Sequence, residues 1–431
     1  MKIAIVHYHL NPGGVTRIIE SQVNSLASGK EGIDLTVLTG SIVSEGYLPG
    51  ATIKTNTTLN YWNAAWQDSD LKDIAFHIAA FIKQNLDKSA VLHVHNPHLG
   101  KNSGLTLAIH QMATEGYPMV NHCHDFPEDR RENLNLLMHY ITDVAGLRLN
   151  EVLYPDKPSC HFITLNSTDY KRIANSGIPS SRVHLLPNPV YMANRLEESQ
   201  KPMARKKICD ILGFTSSRLI CTYPVRAIAR KNLGEFILLA VLFSDKAHFT
   251  LTQPPKNPAE LPLYNQWKKF CLDHGIHIVF ESGNAVNHEE LISISDFCIT
   301  TSMREGFGMA FLEPWLAGTP VIGRDLPSVT QDLKAYGVEF PRLYSSIFVE
   351  TSRGKQDFKD LDPGEQERVI KDTVMHDPCR LKHYRNNPFL AGFLDDISAD
   401  IVRKNQKTIK EEFSLEQYGK ELLAIYRAVS Q

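Results

Sequence analysis

Two carboxylates eight residues apart stand in the run Thr301-Ser302-Met303-Arg304-Glu305-Gly306-Phe307-Gly308-Met309-Ala310-Phe311-Leu312-Glu313. An ionised carboxylate only accepts hydrogen bonds, so a pair of them suits a polyhydroxy ligand whose vicinal hydroxyls all donate. The run follows a β-branched stretch ending near Thr300, turns on Gly306 and Gly308, and enters a segment of helical period at Met309. Glycine lets a ligand approach the backbone closely, and the first N–H groups of a helix are unpaired and favour negative charge. A plainer account has Glu305 complementing the helix terminus and Glu313 on the surface. Spacing alone does not choose between the two.

Arg226, Arg230 and Lys231 follow a second apolar stretch and precede another helical one. A diphosphate at the carboxyl end of a strand needs such cations to offset its charge and assist its departure. Taken alone, a basic loop of this kind is more often merely solvated. Asn11-Pro12-Gly13-Gly14 forms a turn after the first apolar run, without the spacing of a dinucleotide fingerprint or a Walker loop, so neither NAD nor ATP is indicated. Imidazoles cluster at expected strand ends: His93, His95 and His98, then His122 and His124 beside Asp125. Alternation puts His122 and His124 on one side of a strand. No HxxxH or HExxH spacing occurs, so structural or substrate-contacting roles are expected in preference to metal ligation. Asp68-Ser69-Asp70 and Asp360-Leu361-Asp362 read as helix N-caps.

The elements that must position these residues alternate between short β-branched strands and amphipathic helices, the pattern of parallel α/β sheets. Strands are predicted over residues 2–8, 34–38, 91–95, 118–123 and 161–165, with helices from Val15 to Leu26 and from Asp70 to Leu86. A second alternation has strands over 218–225, 248–252, 276–280, 296–300 and 319–323, and helices over 232–243, near 288–293 and over 309–317. A last amphipathic stretch covers 415–428. The organisation expected is residues 1–190 as a first Rossmann-like domain, 191–215 as a basic linker, 216–410 as a second Rossmann-like domain, and 411–431 as a C-terminal helix. Ligands of open α/β sheets bind at the carboxyl ends of strands, which here implies a deep interdomain cleft.

The chain has 431 residues, with 46 Lys and Arg against 48 Asp and Glu, a net charge of −2. Such a balance speaks against a nucleic-acid partner. Seven scattered cysteines without a CxxC pair fit buried thiols in a reducing compartment. No run approaches the roughly 18–20 apolar residues of a transmembrane segment. A cytoplasmic protein is expected.

Taken together, these motifs resemble the GT-B retaining glycosyltransferases of family 4 along nearly the whole chain. The E-x7-E element stands at Glu305 and Glu313, and the R-x4-K element at Arg226 and Lys231. The Gly13-Gly14 turn, His124-Asp125, Asn166-Ser167 and Leu186-Pro187-Asn188 fall where that family has counterparts. The resemblance implies a hexosyltransferase with the acceptor on domain 1–190, the nucleotide sugar on domain 216–410 and the 411–431 helix packing back on the first domain, in which Arg226 and Lys231 bind the donor diphosphate and Glu313 the nucleotide ribose. It implies that Glu305, with Gly306, Phe307 and Gly308, holds the transferred sugar, that Gly13 and Gly14 approach the phosphates or acceptor, and that His124 lines the reacting face. Retention, no bound metal, no cofactor beyond the nucleotide-diphosphate sugar, and a hydroxyl acceptor are further implications. His95, Lys101, Asp125 and Arg130 follow first-domain strands and would border the acceptor, whose chemistry the cations make small and anionic. The competing readings are a sugar-nucleotide epimerase and a non-catalytic sugar-nucleotide-binding protein. The family's customary Gly-Gly and Glu after Gly318-Thr319-Pro320-Val321-Ile322 are replaced here by Arg324-Asp325-Leu326-Pro327.

Overall fold

A computed structural model describes residues 1–27, 32–41, 47–62 and 66–430. The chain divides into two compact units, one of Met1–Pro189 with Phe413–Gln431 and the other of Val190–Glu412.

The first unit is built on a parallel sheet of β1 (Lys2–His7), β2 (Asp34–Thr39), β3 (Thr52–Thr55), β4 (Val91–His95), β5 (Met119–Cys123), β6 (Cys160–Thr164) and β7 (Val183–Leu185). Their order is β3-β2-β1-β4-β5-β6-β7. Buried β-branched residues on both faces explain why the strands read as continuous apolar runs. Side chains alternate across the sheet. Ile3 and Ile5 pack with the helix Gly14–Ala27 and with Tyr418, Leu422 and Tyr426 of the C-terminal helix Leu415–Val429, while Ala4 and Val6 pack with Ile74, Ile78 and Leu105 of the helices Leu71–Gln84 and Ser103–Thr114. Strand β3 was not foreseen. Its residues Thr52-Ile53-Lys54-Thr55 are largely exposed at the sheet edge, so they carry little apolar signal.

The second unit holds β8 (Leu219–Arg226), β9 (Ala247–Gln253), β10 (Ile278–Phe280), β11 (Phe297–Thr300), β12 (Val321–Arg324) and β13 (Leu343–Tyr344) in the order β10-β9-β8-β11-β12-β13, all parallel. A small hairpin of β14 (Phe348–Thr351) and β15 (Gly354–Asp357) stands apart from it. The basic stretch read as a linker contains the helix Lys201–Leu212, which belongs to this unit. Its Ile208 and Cys209 pack on Ile220 and Leu291, and Arg205 bonds the Ile294 carbonyl at 2.7 Å and the Asp296 carboxylate at 2.8 Å.

In both sheets the strand order reverses between the first strand and the fourth. That is the switch point at which open α/β sheets bind ligands beyond their carboxyl ends. In the first unit it lies between β1 and β4, and in the second between β8 and β11.

Candidate active site

In the second unit two loops leave the switch point and are stitched together. The loop after β8 runs through a 3-10 turn, Ala229–Lys231, to Asn232, whose φ of +50° ends the turn and starts the buried helix Leu233–Leu242. The loop after β11 lies against it. Met303 N–H donates to the Arg230 carbonyl at 2.9 Å, and Thr301 Oγ1 to the Lys231 carbonyl at 2.8 Å. Tyr223, within β8, donates its hydroxyl to the same Lys231 carbonyl at 3.0 Å and meets Ser302 Oγ at 2.8 Å.

This stitching brings Lys231 and Glu305 together. Lys231 Nζ bonds Glu305 Oε1, Arg230 Nη1 bonds Oε2 at 2.7 Å, and the Glu305 side chain is only 8% exposed. Burial pushes the Glu305 carboxyl upward, but the charges of Lys231 and Arg230 and the hydrogen bond from Lys231 outweigh it and hold the group below its usual range. Burial lowers the Lys231 ammonium, and Arg230 adds to that against the attraction of Glu305. Arg230, present in the basic run but outside the R-x4-K pair, is therefore the second cation on Glu305. Arg226, at the end of β8, has a buried Nε with no hydrogen-bond partner among the described residues.

The segment after Glu305 differs from expectation. A continuous helix over 309–317 was predicted, with Glu313 eight residues, about two helical turns, beyond Glu305. Instead a single 3-10 turn, Met309–Phe311, is followed by a four-residue helix that starts at Glu313. Pro314 explains the break, because it lacks the N–H that would bond the Ala310 carbonyl and its ring clashes there. The turn is set by Gly308, whose φ is +84° and whose Cβ would lie 2.5 Å from Val329 Cγ1. No long helix dipole points at this loop. Its charge comes from side chains. Phe307 is buried, and Gly306 and Glu313 are half-buried.

At the first unit's switch point His95 ends β4 and His124 follows β5. Their rings stack, with His95 Nδ1 2.8 Å from His124 Nε2. His122 and His124 share a side as expected, their rings stacked at 4.1 Å. Asn96, with φ of +53°, shapes the turn by accepting from His124 N–H at 2.7 Å and Asp125 N–H at 3.3 Å through its side-chain oxygen. Beneath them Gln22 of the first helix and Tyr426 of the C-terminal helix bond the buried imidazoles, Tyr418 of the same C-terminal helix accepts from Gln22, and nothing in the sequence pattern marked these three. The ring nitrogens of His93, His95 and His122 come within 4.8 Å of one another, a separation a metal ion could use. Five of those nitrogens already bond Gln22, Tyr426, His124 or each other, and His122 Nε2 has no hydrogen-bond partner among the described residues.

Arg130 pairs with Asp125 at 2.8 Å, so its charge is answered within the unit. Lys101 differs. Its ammonium lies over the Tyr61 ring at 5.6 Å, lowered from its usual range first by burial and then by Arg130, and no ion pair to it occurs among the described residues. Gly13 and Gly14 are exposed, and a Cβ at either would meet nothing closer than 3.7 Å. Nothing inside the unit requires glycine there.

Residues 218–337, which hold both stitched loops, match the family described as Glycosyl transferases group 1. Mannosylglucosyl-3-phosphoglycerate synthase of Petrotoga mobilis is 28% identical over 439 aligned residues, covering 95% of this chain and 81% of that one. Mannosylglucosylglycerate synthase of the same organism is 25% identical across 57% of this chain and 62% of its own length. Among solved structures, HepE of Anabaena in complex with UDP-glucose superposes with a TM-score of 0.62 at 13% identity, covering 99% of this chain and all of that one. Two parallel α/β units, a match to Glycosyl transferases group 1 within the second, and the likeness to a curated glycosyl-transferring synthase make the chain a glycosyltransferase of the GT-B fold.

Proposed function

We propose that the protein transfers a hexose from a nucleotide-diphosphate donor to a hydroxyl of a small anionic acceptor, with retention of anomeric configuration and without a metal ion. The observation that carries this reading is the stitched pair of loops at the β8–β11 switch point, which holds Lys231 and Glu305 as a buried pair joined by the partly exposed Arg230, with Arg226 at the end of β8 where the first loop begins. An ammonium has three donors, so Lys231 can keep Glu305 and still donate to a phosphate oxygen. Arg226 brings a guanidinium fork that fits a phosphate in two bonds. These fixed cations offset the charge that develops on the departing diphosphate, the term that matters most in such a transition state. Glu305, kept ionised by its two cations, accepts from hydroxyls of the transferred sugar, and Glu313 from the ribose.

Glu305 is poorly suited to attack the anomeric carbon, because both of its oxygens are engaged by cations. We therefore favour attack by the acceptor on the face the nucleotide leaves, with the departing phosphate oxygen taking the acceptor's proton. Lys101 supports an anionic acceptor, since a half-buried ammonium with no ion pair among the described residues favours an incoming phosphate or carboxylate. The Petrotoga relative, named for a sugar-linked phosphoglycerate product, points to the same acceptor chemistry.

The test incubates the protein with UDP-, GDP- and ADP-hexoses and glucosyl-3-phosphoglycerate, with and without EDTA. Free nucleoside diphosphate and a glycosylated phosphoglycerate are expected, at a rate that EDTA does not change. NMR of the product should show the anomeric configuration of the donor. An isomerised sugar nucleotide, or binding without turnover, would replace this reading with an epimerase or a binding protein. Lys101→Ala should raise the KM for the anionic acceptor by about tenfold or more, the worth of one charge-assisted hydrogen bond, with kcat little changed. An unchanged KM would remove Lys101 from the acceptor site.

A further inference from the structure

The fully buried Gln22 presents its side-chain carbonyl to His95 and its amide nitrogen to Tyr418. Gln22 Oε1 lies 2.9 Å from His95 Nε2, and Gln22 Nε2 lies 3.0 Å from the Tyr418 hydroxyl. Farther along, His95 Nδ1 lies 2.8 Å from His124 Nε2. Burial drives the imidazoles of His95 and His124 well below their ordinary range, so each ring is neutral and carries one proton. A carbonyl can only accept. His95 therefore carries its proton on Nε2, which leaves its Nδ1 as an acceptor. The only way to make the 2.8 Å contact is then a proton on His124 Nε2, and His124 Nδ1 is left with a lone pair.

We propose that Gln22 is a positioning residue that acts through His95 to hold His124 as its Nε2–H tautomer, with Nδ1 free to accept from a substrate hydroxyl. Gln22 is itself oriented by Tyr418, which lies 396 residues away on the C-terminal helix. Its amide nitrogen also faces His93 Nε2 and His122 Nδ1, each at 3.4 Å, which share one proton across 3.1 Å and so leave one acceptor on that side. This inference rests on the proposed function in one respect only, that His124 meets the substrate. With the rings neutral, the tautomer follows from the hydrogen-bond geometry.

The experiment is two-bond 15N–1H correlation on the full-length protein labelled at histidine, with His124 assigned by its loss in His124→Asn. The wild type should show His124 protonated at Nε2 and bare at Nδ1. Gln22→Met keeps the volume but removes the acceptor, and should mix the tautomers and lower kcat roughly tenfold with KM within about twofold. Gln22→Glu keeps an acceptor facing His95 and should restore the Nε2–H form. His124 found as Nδ1–H in the wild type overturns the proposal without any variant, which covers the case in which Gln22→Met fails to fold. An unaltered tautomer in Gln22→Met overturns it as well, as does a change in the ring spectra of His93, His95 and His122 on adding zinc, which would assign those nitrogens to a metal. The expected tautomers in a protein that transfers no sugar would support the hydrogen-bond chain while overturning the glycosyl-transfer reading, so the two failures are distinct.

Discussion

Lys231 and Glu305 hold each other where a charge left alone would be costly. Removing one partner of a buried ion pair typically costs about 3–5 kcal/mol, because the other charge stays behind uncompensated. Lys231→Ala should therefore lower the melting temperature as well as abolish transfer. Lys231→Arg, whose planar fork does not match the compact ammonium, should recover stability more than activity. The sign of the pH effect follows from the direction of the Glu305 shift. Its folded pKa lies below the ordinary 4.5, so the unfolded chain binds more protons as the pH falls. The stabilisation is complete above about 4.5 and is lost as pH drops through the folded value. A stability profile of Glu305→Gln that still fell as steeply as wild type below pH 4.5 would contradict this. Glu305 and Lys231 were legible from residue type and spacing. Arg230 was read only as one of three cations for a diphosphate and not as a partner of Glu305, because which cations of a basic loop meet that carboxylate depends on the φ of +50° at Asn232 and on the second loop, and neither is written in the local pattern.

At the scale of elements, the strands that end at the switch points were readable because they are buried on both faces, and the broken helix after Glu305 was not, although Pro314 was in view. The departure at Arg324 also finds its reason here. Its guanidinium is buried with Glu235, at 2.8 and 2.6 Å, and with Asp357 at 2.8 Å, and Glu235 in turn accepts from Asn232 at the start of the helix Leu233–Leu242. The replacement thus anchors the start of the helix that follows the Lys231 turn. Strands β1, β4 and β5 together deliver five buried imidazoles, His7, His93, His95, His122 and His124, to one end of the first sheet. Burial holds His7, His93 and His124 down at about 3 and the other two well below 6.5. A depressed histidine pKa means that the unfolded state takes up protons first, so stability falls as pH drops below about 6.5. Between pH 6.5 and 5.0 each group contributes up to about 2 kcal/mol of that loss. Several acting together rival the roughly 5–15 kcal/mol of an ordinary fold. Urea denaturation should accordingly show a large loss of stability between pH 7 and 5, well above the range in which Glu305 acts. Equal midpoints at the two pH values would mean that these rings are protonated or solvated in the native protein.

For the whole molecule, the chain crosses from the first unit to the second once and returns at Phe413, so the last residues fold with the first. The helix Leu415–Val429 was legible from its apolar spacing. Its second task, bonding Gln22 and His93 through Tyr418 and Tyr426, was not, because tyrosines on an apolar face read simply as core. Tyr418, Leu422, Tyr426 and Val429 are nearly fully buried in the first unit's core, and each such side chain is worth roughly 1.5–3 kcal/mol. Their sum is comparable with the entire net stability of a domain. Ending the chain after Glu412 should therefore do more than trim a terminus. It should expose Ile3, Ile5, Ile18 and Val23, make the first unit bind hydrophobic dyes, and leave Gln22 without its tyrosine. The truncate should lose transfer, while the second unit, whose loops and helices all lie within Val190–Glu412, should still gain thermal stability from added sugar nucleotide. A doubly substituted full-length protein, Tyr418→Phe with Tyr426→Phe, separates the two roles of the helix. It keeps the apolar packing but removes both hydroxyls, so it should stay folded and show reduced kcat. If the truncate is soluble and fully active, the C-terminal helix is not part of the first unit's core, and if the double variant matches wild type in rate, the hydroxyls beneath the imidazoles have no part in transfer.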